Sequence, residues 1–188
     1  MKPPSDAIEE ALGSEASRET ELLAALARAI TPRAPSPSLR SRLLAAVASP
    51  GLRWAPLFGK LGALFDLGDH ALLQIAERAS VASEWQAGPI PGVELFHLDG
   101  GPSIRPADSG LVRVQAGLTF PEHRHLGEER TLILEGEARE SNGLLRRPGD
   151  LRIMRENSAH AYEVLAGRPL VYAVVLFGGV EIDGRRFP

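Results

Sequence analysis

The chain of 188 residues has no cysteine, which removes disulfides, thiolate metal sites, thiol nucleophiles and thiol-based redox sensing. Any metal ion must then be held by imidazole and carboxylate. Positive charge is short as well: 21 Lys and Arg against 24 Asp and Glu leave a net charge of -3. With a pI near 6.0 and no basic stripe to neutralise phosphates, direct nucleic-acid binding is not expected. Lysine is nearly missing, 2 residues beside 19 arginines, a bias that codon usage in a GC-rich genome explains without any function. No run approaches the roughly 20 apolar residues that span a bilayer, and Met1 to Asp6 carries neither the basic region nor the apolar core of a leader. The expectation is a cytoplasmic protein with no membrane association. What is present is a hydrophobic content of 44%, enough for one barrel of ordinary size plus a helical appendage.

The first half reads as helical. Leu22, Leu23, Leu26 and Ile30 are spaced for one apolar face after a polar, acidic start. Three prolines between Pro32 and Pro37 then make residues 31–37 a linker. Ser38 is placed to cap a second helix carrying Leu39, Leu43, Leu44 and Val47 on one face, ending before Ser49-Pro50. Leu57, Phe58, Leu61, Leu64 and Phe65 form another stripe, and Asp69 is placed to cap a helix with Leu72, Leu73 and Ile75. These faces either pack on the rest of the chain or dock a partner. The organisation expected is a helical extension over 1–50, a helical segment over 51–88 packing on a barrel, and a metal-binding domain over 89–188.

From Pro89 the texture becomes short β-rich runs separated by Gly, Pro and Asn, as in an all-β sandwich or barrel. Candidate strands are Val93–Leu98, Leu111–Ala116, Arg130–Leu134, Leu151–Met154, Ala161–Leu165 and Leu170–Phe177. Asn142-Gly143 suits a tight turn with positive φ at both central residues. The apolar run from Val171 to Phe177 fits a core strand or a homodimer interface.

Three of the five histidines fall in a pattern that metal chemistry can use, His123-x-His125-x3-Glu129, followed by His160. Residues i and i+2 of an extended segment share a face, so both early histidines can point inward. Glu129 can turn back as a carboxylate donor, and a hairpin can bring His160 beside the first strand. Glu128 competes for the carboxylate role, although the spacing to Gly136 favours Glu129. This donor set suits one divalent ion, with Zn, Fe, Mn, Ni and Cu all compatible by ligand type. His70 and His97 are isolated and are left out. By strand alternation Thr131 and Ile133 share a face with Glu129, and Tyr162 with His160. The expected pocket is therefore mostly apolar with two hydroxyls, Tyr162 is a candidate to stand behind the ligands, and parity forces no positive charge into it.

Gly117-x5-His123-x-His125-x3-Glu129-x6-Gly136 resembles the first cupin motif at every fixed position. The second motif is similar but altered: Gly149 and His160 are kept, while Arg155 stands where proline is usual, Asn157 where glycine is usual and Val164 where asparagine is usual. More narrowly, Phe120-Pro121-Glu122-His123-Arg124-His125-Leu126-Gly127-Glu128-Glu129, Leu134-Glu135-Gly136 and Arg147-Pro148-Gly149-Asp150 resemble the cupin domain of ChrR-type anti-sigma factors. The resemblance covers about residues 85–180. It implies a mainly β fold, a cupin jelly-roll barrel (double-stranded β-helix) with an N-terminal helical extension. It also implies one zinc ion on three histidines and a glutamate, and a role in stress-responsive control of a sigma factor. The family's sigma-binding domain carries its own zinc on histidines and cysteines, whereas this chain has no cysteine and no histidine before His70.

Three functions compete. A regulatory cupin would hold zinc, turn nothing over, and contact a sigma factor or other regulatory protein through residues 17–48. A metal-dependent dioxygenase, an activity known elsewhere in the cupin superfamily, would hold iron and cleave a small diketone or hydroxylated aromatic bound in the barrel. A structural barrel would use the ion as a staple. The regulatory reading ranks first and the enzyme second.

Overall fold

The computed structural model describes residues 20–25, 34 and 36–187. Leu26, Ile30, the Met1–Asp6 start and most of the proline linker lie outside the described residues. The chain divides into two compact units, Met1–Leu43 and Leu44–Pro188. In the first, residues 20–25 are helical and expose Leu22 and Leu23. A helix, Pro37–Ala48, runs across the division. It starts one residue before Ser38, so Ser38 lies inside its first turn. The reason is Pro37, whose fixed φ suits the first helical position, where no N–H is needed. Leu43 and Leu44 on this helix are exposed.

In the second unit the predicted stripes are buried in part, with Leu57, Phe58, Leu73 and Ile75 half-buried. Helix Phe58–Phe65 buries Leu61, Leu64 and Phe65 and ends at Asp66, which takes a left-handed conformation with φ 56°. Helix Asp69–Arg78 buries Leu72 and Ala76. Its cap is Gly68, and Asp69 is the first helical residue, where its charge favours the helix N-terminus without a capping hydrogen bond. These helices, with Trp54 and Trp85, share one core with Leu111, Leu132, Leu134, Val171, Ala173 and Val175.

Those last residues belong to a sheet. Twelve strands are present among the described residues: β1 (Gln86–Ala87), β2 (Val93–His97), β3 (Asp108–Val114), β4 (Thr119–His125), β5 (Glu129–Glu135), β6 (Ala138–Glu140), β7 (Leu145–Arg146), β8 (Leu151–Met154), β9 (Ala159–Val164), β10 (Leu170–Leu176), β11 (Val180–Ile182) and β12 (Arg185–Phe187). They make two six-stranded sheets, ordered β1-β2-β3-β10-β5-β8 and β12-β11-β4-β9-β6-β7, with antiparallel pairing throughout. The fold is thus mainly β, with two facing sheets and helices on the N-terminal side. Alternation divides β5 and β10 between two cores. Leu132 and Leu134 face the helices, while Ile133 faces a second core inside the barrel with Val112, Val114, Phe120, Ala138, Tyr162 and Leu170.

Strand β10 is central, paired on both sides by β3 and β5. The Val171–Phe177 run is therefore core, and its backbone has no free edge to offer a second copy. At Asn142-Gly143 only Gly143 has positive φ, 86°, with its N–H donating to the Glu140 carbonyl at 2.8 Å. Asn142 instead accepts the Leu144 N–H at 2.9 Å through its side chain. This is the three-residue hairpin connection, a turn followed by one left-handed glycine, and not the two-residue turn.

Candidate metal centre

His123 and His125 lie on β4 and His160 on the neighbouring strand β9, where His123 and His160 are direct cross-strand partners. Between Phe120 and His123 the pairing slips by one residue, so β4 carries a bulge at Pro121-Glu122. A bulge re-aims the side chains that follow it and tolerates proline. Phe120, His123 and His125 consequently all face the interior. The three imidazoles each offer a nitrogen, and these atoms lie within 4.8 Å of one another. The ring centres are 4.3 Å (His123–His160), 5.0 Å (His123–His125) and 5.3 Å (His125–His160) apart.

Glu129 reaches the histidines from the opposite sheet, at the start of β5. Its Oε2 is 3.5 Å from His125 Nδ1, and its side chain is nearly sealed from water. Glu128 turns away and accepts a hydrogen bond from Arg130 Nε at 2.7 Å. The turn between β4 and β5 is held tightly. Gly127 packs so closely that a Cβ would sit 1.6 Å from the Phe177 carbonyl oxygen. Phe177 N–H donates to the Glu128 carbonyl at 2.8 Å and Leu126 N–H to that of Gly179 at 2.9 Å. On the other side His125 exchanges backbone hydrogen bonds with the loop before β9, donating to Ser158 at 2.9 Å and accepting from Asn157 at 2.8 Å. Asn157 adopts φ 62°, the left-handed conformation that a glycine would take without cost and that asparagine tolerates best among other residues.

The ring nitrogens are unequally employed. His123 Nδ1 bonds the Pro121 carbonyl at 3.0 Å, so it carries the proton and leaves Nε2 with a lone pair. His160 Nδ1 accepts from Arg152 Nη1 at 2.9 Å. His160 Nε2 and both nitrogens of His125 are buried without hydrogen-bond partners. Such orphaned donors and acceptors are costly in a folded protein, and a shared cation is one arrangement that would satisfy them, with the His160 proton moved from Nε2 to Nδ1. Burial and the neighbouring charged groups hold all three imidazoles neutral, His125 down to about 4 and His160 to about 2, with His123 also lowered. Burial pushes the Glu129 carboxyl up to about 7, opposed by Arg152. Neutral imidazoles are the form that binds metal, and the donor set fits a divalent ion.

Thr131, Ile133 and Tyr162 line the pocket, as alternation predicts. Tyr162 stacks on Phe120 at 5.0 Å and sits 5.9 Å from the His160 ring, and its hydroxyl pairs with that of Tyr172 at 3.3 Å without touching a histidine. The expectation of a pocket without positive charge is overturned. Arg146 and Arg152 both line it, with Glu140, Asp150 and Tyr172. Strand β8 turns its polar side inward, leaving Leu151 and Ile153 52% and 56% exposed, a reversal of the usual apolar-inside pattern. Beyond His123 and Glu129 lies a larger apolar chamber of about 250 Å³, walled in part by Val112, Phe120, Val174 and Ile182. His70 and His97 are exposed, and His97 lines the larger chamber.

Among solved structures, the complex of SigE with the anti-sigma ChrR from Rhodobacter sphaeroides matches at 20% identity and a TM-score of 0.50, over 91% of this chain and 83% of the matched chain. An RmlC-like cupin protein from Ralstonia eutropha JMP134 matches at 18% identity and 0.46, over 55% and 71%. An acetylacetone dioxygenase from Acinetobacter johnsonii matches at 13% and 0.47, over 57% and 79%. No curated protein matches the chain. At these identities the likenesses establish the fold alone. The sequence model described as the ChrR cupin-like domain matches residues 77–176, more than half of the chain and every residue of the histidine cluster. With its motif, its two-sheet barrel and its converging imidazoles, the chain belongs to the ChrR cupin-like domain family.

Proposed function

We propose that His123, His125, Glu129 and His160 hold one divalent metal ion, zinc first among the candidates, and that the protein is a regulatory cupin acting through a protein partner. The observation that carries the metal assignment is the set of buried, unpartnered ring nitrogens on His125 and His160, clustered with His123 inside 4.8 Å. A bound ion supplies charge that satisfies those lone pairs and fixes the four side chains together. The protein's own contribution is orientation: the Pro121 carbonyl fixes the tautomer of His123, and the Gly127 turn presents Glu129 from the facing sheet.

The regulatory part rests on family membership and on the leucines of the N-terminal region. Leu22, Leu23, Leu43 and Leu44 are all exposed, and apolar helical residues left in water favour docking to a partner. A sigma factor is the partner the family points to, and the absence of cysteine means that contact would be made without a thiolate zinc site. Protein purified without added metal should carry close to one zinc per chain and retain a sigma factor on affinity capture. Leu22→Asp with Leu43→Asp should release that partner without changing the zinc content. Zinc without any captured sigma factor would remove the regulatory half of the reading.

The apolar chamber beside His123 and Glu129 favours a second reading, a metal-dependent dioxygenase for a small diketone or hydroxylated aromatic. Iron in place of zinc, with oxygen consumed on addition of acetylacetone or catechol, would put that reading first.

A further inference from the structure

We infer that the pocket lined by Arg146, Arg152, Tyr162 and Tyr172 is an anion subsite beside the metal ion, built for a small monoanion of carboxylate shape. It rests on the metal reading above and adds a ligand class to it. Charge gives the sign. Arg146 Nε and Arg152 Nη1 both bond the same oxygen, Glu140 Oε1, at 2.5 and 3.0 Å. The three side chains are mostly withdrawn from water, 23%, 18% and 4% exposed in the order Arg146, Arg152, Glu140. One carboxylate thus serves two guanidiniums. Asp150 lines the same compartment and also bonds the Arg147 backbone N–H at 2.9 Å. A divalent ion with Arg146 and Arg152 outweighs Glu129, Glu140 and Asp150 by a single charge, so a monoanion completes the site.

Donors and size narrow the ligand further. Tyr162 and Tyr172 pair through their hydroxyls at 3.3 Å. A pair of neutral phenols uses one O–H internally and leaves the other free to donate. Among the described residues Arg152 uses only Nη1, on Glu140 and on His160 Nδ1. A metal ion on His160 Nε2 requires the proton on Nδ1, where Arg152 can no longer donate, which leaves that guanidinium a donor to spend in the pocket. The cavity has a volume of about 40 Å³. At about 10–15 Å³ per water-sized occupant, and with the ion taking one such share, this leaves room for roughly two or three non-hydrogen atoms, the size of azide or of the carboxylate group of acetate.

The test uses the full chain loaded with cobalt(II), whose visible spectrum reports the coordination shell, titrated with acetate, with azide, and with acetamide as the neutral twin of acetate. Acetate and azide should saturate and bind at least about tenfold more tightly than acetamide, and Arg152→Gln should reduce that preference to about threefold or less, as expected for loss of a charge-assisted bond. Equal binding of acetate and acetamide to the wild-type protein, or a cobalt spectrum indifferent to all three, overturns the subsite. An unchanged preference in Arg152→Gln also overturns it, and should that variant fail to fold, Arg146→Gln takes its place with the same loss expected. Failure of cobalt to bind at one per chain overturns the metal reading and the subsite with it, and the cobalt stoichiometry tells that failure from one confined to the anion.

Discussion

Glu129 is a carboxylate almost wholly removed from water, raised to about 7 by that burial, among imidazoles held neutral. A proton and a metal ion compete for the same oxygen. Apparent zinc affinity should therefore rise about tenfold between roughly pH 6 and pH 8 and then level, since below the carboxyl's own pKa each pH unit costs up to tenfold. Chelator competition across that range measures it, and a flat profile would take Glu129 out of the donor set. The metal-free protein responds with mixed signs. Neutral histidines with lowered values lose stability as pH falls below about 6.5, where the unfolded chain takes up protons first, while Glu129 alone works the other way between about 4.5 and 7. Three groups outweigh one, so urea unfolding of the metal-free protein should show lower stability at about pH 5 than at pH 7. The two neighbouring carboxylates should also separate: Glu129→Gln should cost most of the bound metal and Glu128→Gln almost none, read by metal analysis of the purified variants. The histidines and Glu129 were legible because their spacing is itself the signal. Arg152 was not, because β8 is only four residues long, and its apolar residues, Leu151 and Ile153, pointed to the wrong inward face.

The elements that carry these residues are fixed by backbone features more than by side chains. The β4–β5 turn passes Phe177 with no room for a methyl group at Gly127. Gly127→Ala should force the turn apart, lowering stability by about 2–3 kcal/mol and weakening zinc retention in the same variant, by thermal melting and metal analysis. At Asn157 a β-branched residue should cost about 1–2 kcal/mol, the penalty of left-handed backbone for an ordinary L-residue, whereas Asn157→Gly should be tolerated. A tolerated Asn157→Val would mean the loop can choose another path to His125. That position shows how an altered motif keeps its geometry: asparagine replaces glycine and the left-handed turn survives. The β4 bulge escaped the sequence because strict alternation from Phe120 places His123 on the opposite face, and only the pairing with β9 reveals the inserted residue. Strands β1, β6, β7, β11 and β12 are two or three residues each, too short for a period of two to stand out.

Over the whole of the Leu44–Pro188 unit the two cores meet at one sheet. Trp54 is 2% exposed, and its Nε1 donates to Glu135 at 2.8 Å, which ties the helical layer to the end of β5. Trp54→Ala should cost about 3–5 kcal/mol, as for other fully buried tryptophans, and should lower the melting temperature of helices and barrel together. Two separate transitions in that variant would show that the layers fold independently. The barrel was visible from its motif glycines and histidines. The helical layer was visible as apolar stripes, but those stripes could not say whether their partner was this chain or another. Strand β5 answers that for residues 54–79, and it has a further meaning. Leu132, Leu134 and Glu135 lean on the helical layer while Glu129, Thr131 and Ile133 line the histidine pocket, so one strand is a wall common to two rooms. Close-packed interiors yield little under load. A side chain changed on the helical side of this strand is therefore seated on the same backbone that carries the carboxylate.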